Sequence, residues 1–482
     1  MSDGRRLVLV VGSGTAAAMA ATAIARSLPD IRVVRLDDGE EDALDELLGA
    51  SRPSVRAFHG ALGVDEAEVV ERTRASYRLG TRVSGWSDIP YFRGHGMYGE
   101  SVSGVSFHHL WLRAHSRGTV APFDSFSISA SLASQSRFAA PSSQRESPLA
   151  GLDYGLQLNL PAYAQALRSL GRAAGVEEIH GNIAAILQSS DGGCIRALKL
   201  ADGRELAADL YIDASGHAAG VRRALPWRWI DWSASLPVDR LLFSRPAANQ
   251  IPPVSDDLVA LAAGWRYEAR LQDATFHLLA YSSAHETDDQ ARATFHHAAG
   301  TAPRDQPVVL RQGRLEDPWA GNCVAIGSAA VSLEPSAASS LHAVCRHLDR
   351  LIACWPGHDS RATPAEIAYF NRRTALGSDR LRDFVQLPYL LNQRPEALWR
   401  AAAAGPVSAE LARDLALFRE RGRLSIHDED GFERDEWLAS LIGLGVIPRR
   451  IDPVAAELPM SKIQQRLEAI STGLRQLMET LQ

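Results

Sequence analysis

An α/β fold that opens on a Rossmann-like βαβ unit is predicted by three features of this 482-residue chain. An apolar strand, Leu7 to Val11, runs straight into Gly12-Ser13-Gly14-Thr15-Ala16-Ala17; an alanine-rich helix continues to about Leu28; and a second strand, Ile31 to Leu36, ends in Asp37-Asp38. Each part has a chemical reason. Gly12 permits the tight turn, Gly14 lets backbone approach a pyrophosphate, and Ala17 is small enough for the helix to lie close on the strand, with the N–H groups of its first turn, at Thr15 and Ala16, facing the anion. A carboxylate at Asp37 or Asp38, roughly 20 to 25 residues past the glycines, falls where a ribose diol would sit and disfavours a 2′-phosphate. The pattern expects a dinucleotide, either FAD or NAD(P).

At 46% hydrophobic residues the chain can bury a large core and is longer than one compact domain usually is. It holds no apolar run of about 18 residues, and Ala16 to Ile24 is better explained as the fingerprint helix than as a membrane span. The start, Met1 to Arg6, lacks an export-signal pattern, so a cytoplasmic location is expected. Cys194, Cys323, Cys345 and Cys354 lack metal-type spacing and read as buried thiols. The net charge of −6 comes from intermixed acids and bases, which points away from nucleic-acid and membrane surfaces.

Helices are expected over Arg56 to Gly63, from Asp65 to about Arg74 and over Leu160 to Ala174, with a Ser/Gln/Pro-rich loop between Ser134 and Pro148. Strands are expected at Ile179 to Gln188, Cys194 to Leu200 and Glu205 to Ile212, the last leading into the small residues Asp213-Ala214-Ser215-Gly216 beside the nucleotide. A second buried strand, Cys323 to Gly327, precedes Ser328 and a helix from about Ser339 to Trp355. The cofactor cradle therefore also takes in Asp213, Gly216, Gly327 and Ser328. From Pro364 on, the chain reads as helical, ending in an amphipathic packing or dimerisation helix from about Lys462 to Leu481. The expected division is a core over 1–350 interleaved with substrate-binding segments, followed by a helical region over 351–482.

Six segments in order resemble the flavin-dependent tryptophan halogenase family over nearly the whole chain. They are Gly12 to Ala21, Val105-Ser106-Phe107-His108-His109-Leu110-Trp111-Leu112-Arg113, Ala208 to Gly216, Asn322 to Gly327 with Leu333-Glu334-Pro335, Arg382-Asp383-Phe384-Val385-Gln386, and Gly443-Leu444-Gly445-Val446-Ile447-Pro448. The resemblance implies an FAD-binding core of the hydroxybenzoate-hydroxylase type with a substrate module. It further implies FAD reduced by a separate flavin reductase, an aromatic substrate that is either a small molecule or protein-bound, and substrate contacts near His108, His109, Trp111, Trp265, Glu334 and Pro335.

The departures bear on chemistry. These halogenases let chloride intercept oxygen activated on the flavin and hand hypochlorous acid to a lysine; in the matching pattern here, Tyr77 to Trp86, Arg78 stands in that lysine's place. A guanidinium stays protonated below a pKa of about 12 and offers no neutral amine to chlorinate. The only lysines are Lys199 and Lys462, in a hairpin strand and in the last helix. The family's catalytic glutamate, in Glu-Pro-Leu-Glu-Ser-Thr-Gly, is replaced by Ala337 in Glu334-Pro335-Ser336-Ala337-Ala338-Ser339-Ser340, and the halide-associated Thr-Gly by Ser339-Ser340. The Trp-x-Trp box keeps only Trp265, and the glycine-rich strap has become Leu47 to Pro53.

The resulting expectation is an FAD-dependent monooxygenase acting on an aromatic or indole-like group, with a rearranged halogenase and a non-catalytic partner- or peptide-binding flavoprotein as alternatives. Arg78 either orients an anionic substrate or forms a salt bridge to the acidic helix around Glu66 and Glu71. His108 and His109, read as strand neighbours, would point to opposite faces and make a poor metal pair. The tryptophans between Trp227 and Trp232 form either an aromatic cage or the cover of one sheet face, and the glycines around His95 allow it a lid role.

Overall fold

The computed structural model describes residues 6–39, 49–118, 120–144, 146–304, 306–356 and 362–481. Leu47 and Leu48 of the altered strap lie outside them. The chain divides into two compact units, each drawn from three stretches: Met1–Ala75, Gln157–Ser233 and Val308–Arg382 in the first, Ser76–Leu156, Ala234–Pro307 and Asp383–Gln482 in the second. The boundaries thus do not fall near residue 350.

The first unit is built on a six-stranded sheet in the order Trp319–Ala320, Cys323–Ala325, Leu210–Asp213, Leu7–Val11, Arg32–Asp37, Glu177–His180, parallel except at its first, edge pair. Central strands covered on both faces read as continuous apolar runs, and Leu7–Val11 does so with Leu9 and Val11 in the core beside Val34, Leu36 and Tyr211. Helix Thr15–Ser27 is buried along most of its length, which only small residues allow at close range, and Thr22 Oγ1 donates to the Leu167 carbonyl of helix Leu160–Ala173 at 2.9 Å.

Two expected strands are broken. Ile179 to Gln188 separates into Glu177–His180, the sheet's edge, and Ile183–Gln188, part of an antiparallel meander with Ile195–Leu200 and Glu205–Leu206. The break falls at Gly181, whose N–H still donates to Asp37 O. Likewise Glu205 to Ile212 ends early, because Asp209 turns its carboxylate to accept the N–H of Leu7 at 2.7 Å before the chain re-enters the sheet at Leu210.

The second unit carries a sheet in the order Arg240–Ser244, Thr275–Tyr281, Gly264–Arg270, Ser255–Leu261, Gly80–Ser84, Tyr91–Gly94, antiparallel except where Ser255–Leu261 runs parallel to Gly80–Ser84. The His108-His109 segment is not a strand: Phe107–His115 is helical, because Phe107, Leu110, Trp111 and Ala114 repeat at helical spacing and all bury. Helices Ala397–Ala403, Ala409–Arg421, Arg434–Gly443 and Met460–Thr480 follow in the C-terminal stretch. All four cysteines are free thiols.

Candidate functional site

In the first unit, the turn after strand Leu7–Val11 is fixed by backbone geometry. Gly12 has φ +141°, donates its N–H to Leu36 O at 3.0 Å, and would place a Cβ 2.4 Å from Ala214 O, so no side chain fits there. The same hypothetical Cβ would lie 3.2 Å from Ala17, which is fully buried. Gly14 is the N-cap of helix Thr15–Ser27, whose first turn carries no acid to compete for an anion.

Arg35, in strand Arg32–Asp37, was not anticipated. It is buried, donates from Nη1 to Gly12 O at 3.0 Å and pairs at 3.2 Å with both Asp37 and Glu178. Asp37 also accepts the Gly39 N–H at 3.2 Å, and Asp38 beside it is buried. The expected acid therefore stands at the end of the second strand, held by the arginine that tethers the glycine turn.

Asp213 plays an internal part. One of its oxygens accepts the Ser215 N–H and hydroxyl, at 3.1 and 2.6 Å, and the other the Arg222 N–H at 2.7 Å, so this carboxylate shapes the turn into Gly216 (φ +82°). Gly327 (φ +60°) donates to Nδ1 of His347 at 3.2 Å; burial, and then Arg350, push His347 down to about 3, which keeps it a neutral acceptor. Thr15, Ala16, His217, Gly327, Ser328 and Ser339 line one cleft, and His217 Nε2 meets Ser332 Oγ at 2.6 Å.

The segment after Leu333 shows what the substitutions leave behind. Glu334 is buried, and its carboxylate accepts the Ser336 hydroxyl at 2.7 Å. Pro335–Ala337 forms a single 3₁₀ turn, Ala337 offers a buried methyl group, and Ala338 is left-handed at φ +54°. Ser339 is 1% exposed and its Oγ has no hydrogen-bond partner, an orphan hydroxyl in the wall of the cleft.

In the second unit, Arg78 ends strand Ser76–Arg78 and is 3% exposed. Its partner is Asp256 of strand Ser255–Leu261, not the acidic helix; Glu66 of helix Glu66–Thr73 instead lies 3.7 Å from Arg56. Arg78 Nη2 donates to Thr81 Oγ1 at 2.5 Å, Tyr267 OH donates to Asp256 Oδ2 at 2.5 Å, and Arg78 Nη1 lies 2.6 Å from Nε2 of His95. A guanidinium only donates, so His95 accepts at Nε2 and carries its proton on Nδ1, directed at Glu436 Oε1 3.2 Å away. Burial opposes the Arg78 charge, but Asp256, Tyr267 and Glu436 outweigh it and raise the pKa; Arg93, also buried, is lowered by its own burial. His95 is 3% exposed, so it belongs to this cluster and is no lid.

The remaining expected substrate residues are dispersed. His108 is buried, hydrogen-bonded to Gly422 O at 2.9 Å and pushed by burial to about 3, while the His109 ring lies tilted beside it, centroids 3.9 Å apart. Trp111 donates to Ala121 O, and Trp265 is a core residue whose Nε1 donates to Tyr389 OH at 3.1 Å. Trp227 is exposed against Arg223, 4.7 Å away, whereas Trp232 is buried; they form neither a cage nor one sheet face. Asp256, Tyr267, Glu436 and His347 were not anticipated. The one available signal was a charged residue inside an apolar strand, as at Arg35, which demands a buried partner.

The cradle suits FAD: a turn without room for a Cβ, a helix start free of acids, an acid at the second strand and an orphan hydroxyl in the cleft. The tryptophan halogenase family profile matches residues 7–460. The tryptophan 7-halogenase RebH of Lentzea aerocolonigenes is 25% identical, over 98% of this chain and 96% of its own. Among solved structures, BrvH, a flavin-dependent halogenase from Brevundimonas sp. BAL3, superposes with a TM-score of 0.91 at 32% identity, covering 98% of this chain and 96% of that one. Xcc4156, a flavin-dependent halogenase from Xanthomonas campestris, does so with 0.91 at 29%, covering 99% and 96%. The glycine turn, the acid that closes the second strand and this whole-length likeness agree: the chain belongs to the tryptophan halogenase family.

Proposed function

We propose that this chain is an FAD-dependent monooxygenase that acts on an electron-rich aromatic group without a lysine-relayed halogen step. The observation that carries the reading is the state of Arg78: where the family pattern has its lysine, this chain has a buried guanidinium with its donors directed at Asp256, Thr81 and His95. Such a group neither forms an N–halogen bond nor presents a free amine. Ala337 removes the second functional residue, because a methyl group accepts no proton.

Reduced FAD, delivered by a separate flavin reductase, supplies activated oxygen when bound. The chain's own residues then do the rest. The Gly12 turn and the start of helix Thr15–Ser27 would hold the pyrophosphate and Asp37 would face the ribose, while His347 keeps the Gly327 turn in place. Arg78 acts as a positioning residue that locks Asp256, Tyr267 and His95 into one arrangement, so substrate orientation rests on packing and on exclusion of water. A second reading, halogenation by a rearranged route, draws support from the likeness to BrvH at 32% identity along nearly the whole chain.

The test combines two measurements. In a titration with FAD, wild type is expected to quench flavin fluorescence and Gly14→Arg to abolish binding, since its side chain fills space the pyrophosphate needs. With flavin reductase, NADH, oxygen and bromide, products from indole and tryptophan should carry added oxygen and no halogen. A regioselective halogenated product that persists with a hypohalite scavenger establishes the second reading instead. A wild-type chain that binds no FAD sinks both and leaves a non-catalytic binding role.

A further inference from the structure

A cavity of about 380 Å³ lies within the second unit, walled by Phe92, Trp111, Phe123 and Ile442. This is within the range of roughly 300 to 1,000 Å³ that small-molecule sites occupy. Two apolar side chains that also line it, Ile89 and Ile447, are 70% and 42% exposed, leaving hydrophobic surface in water around a concavity. Its backbone is shaped for the purpose: a Cβ on Gly443 would fall 2.2 Å from the Tyr91 ring, so the Gly443 to Pro448 motif, which the flavin reading leaves without a role, builds one wall.

The carboxylates of this cavity stand beside an imidazole, that of His115, and neutral polar groups. Asp88 and Asp124 line it, and among the described residues no lysine or arginine does. Asp124 accepts the Phe92 N–H at 2.9 Å, and burial raises its carboxyl above the usual range, a cost that a cationic neighbour would offset. Asp88 is exposed and has no ion-pair partner among the described residues. Two further polar atoms are spoken for: Ser87 Oγ by the carbonyls of Ile89 and Gly443, and Trp111 Nε1 by Ala121 O, which leaves the indole as an apolar wall, stacked at 4.7 Å on His115.

We propose that this cavity binds an aromatic amine in its ammonium form, with the ring among Phe92, Trp111 and Phe123 and the ammonium toward Asp88 and Asp124. Aromatic walls favour a planar ring, and two carboxylates with no lysine or arginine in the same lining favour a positive charge over a negative one. The site stands apart from the flavin reading and needs no cofactor.

The probes are tryptamine, indole and indole-3-acetate, titrated calorimetrically into wild-type protein without FAD. Tryptamine should bind at least about tenfold more tightly than indole-3-acetate, with indole between them. Asp88→Asn and Ile447→Lys, both at exposed positions and therefore tolerant of change, should each narrow that preference about threefold or more. Saturation-transfer NMR should place the tryptamine ring, rather than its side chain, against protein. Equal or reversed preference, no tryptamine binding at about 5 mM, or a preference unchanged in both variants overturns the proposal. FAD titration of the same samples is expected to be unaffected, so failure here and failure of the flavin reading are separable.

Discussion

The Gly12 turn and the Arg78 cluster each bring an arginine into a buried place, by different means. Arg35 lies behind a turn made of backbone and small side chains, and its carboxylate partners Asp37 and Glu178 keep 17% and 18% of their side-chain surface in water. Arg78 faces Asp256, whose side chain is fully buried, inside a cluster assembled from residues far apart in the chain. The first region is shaped by backbone and small side chains and uses charge only as a tether. The second spends charge on itself, and each member depends on the others to remain ionised away from water.

Removing one partner from each region tests this contrast. Arg78→Ala leaves Asp256 buried without its cation and should cost about 3 to 5 kcal/mol in urea unfolding. Arg35→Ala leaves two carboxylates that can still reach water and should cost less, about 1.5 to 3 kcal/mol. A larger loss for Arg35→Ala than for Arg78→Ala would reverse the proposed order of dependence.

Acid should also distinguish the two units. In the first, burial pushes His59 down to about 4 and His347 to about 3. Unfolded histidines titrate near 6.5, so between about pH 6.5 and 4 the unfolded chain holds more protons than the folded one. The stability these groups contribute is complete above that window and is lost as pH falls through it, by about 1.4 kcal/mol per pH unit for each histidine. In the second unit His108, His109 and His277 act in the same direction, but burial raises Asp124, Asp257 and Asp435, which favours the folded state as pH falls. Hydrogen exchange from pH 7 to 4.5 should therefore show protection lost first in the sheet around Leu7–Val11. Earlier loss around Ser255–Leu261, or no change in either, contradicts this assignment.

The same contrast explains what the sequence made legible. A turn built from backbone leaves a short contiguous trace: the tight turn at Gly12, the close packing at Ala17, the helix start at Gly14 and the acid at the end of the second strand follow in order within one βαβ unit. A cluster built from side chains leaves none. Arg78 stood out only as a departure from a pattern, and its partners Asp256, Tyr267 and Glu436 come from strands and a helix that no periodicity brings together. In the helix Phe107–His115 the adjacent histidine pair suits a strand as readily as a helix, and only the apolar spacing of Phe107, Leu110, Trp111 and Ala114 separates the two. Asp213 was placed in the cradle by position alone, whereas its hydrogen bonds serve the turn that follows it.

The smallest expected effect is the most informative about chemistry. Arg78→Lys keeps a cation opposite Asp256 but replaces a planar fork with a point charge, so the donations to Thr81 and toward His95 cannot all be kept. The cost should be about 1 to 2 kcal/mol, well below that of Arg78→Ala, since no buried charge is left alone. FAD affinity should be unchanged, because the cradle is made in the first unit from other residues. Halogenation should not appear either. An ammonium held by Asp256 is not a free amine, Ala337 still supplies no carboxylate, and groups that act as a unit recover little when one is restored. The measurement is FAD titration, urea unfolding and product mass spectrometry with bromide on wild type, Arg78→Lys and Arg78→Ala together. A halogenated product from Arg78→Lys alone would mean that Asp256 does not hold the cation at this position, and that the cluster is one side chain away from the family chemistry.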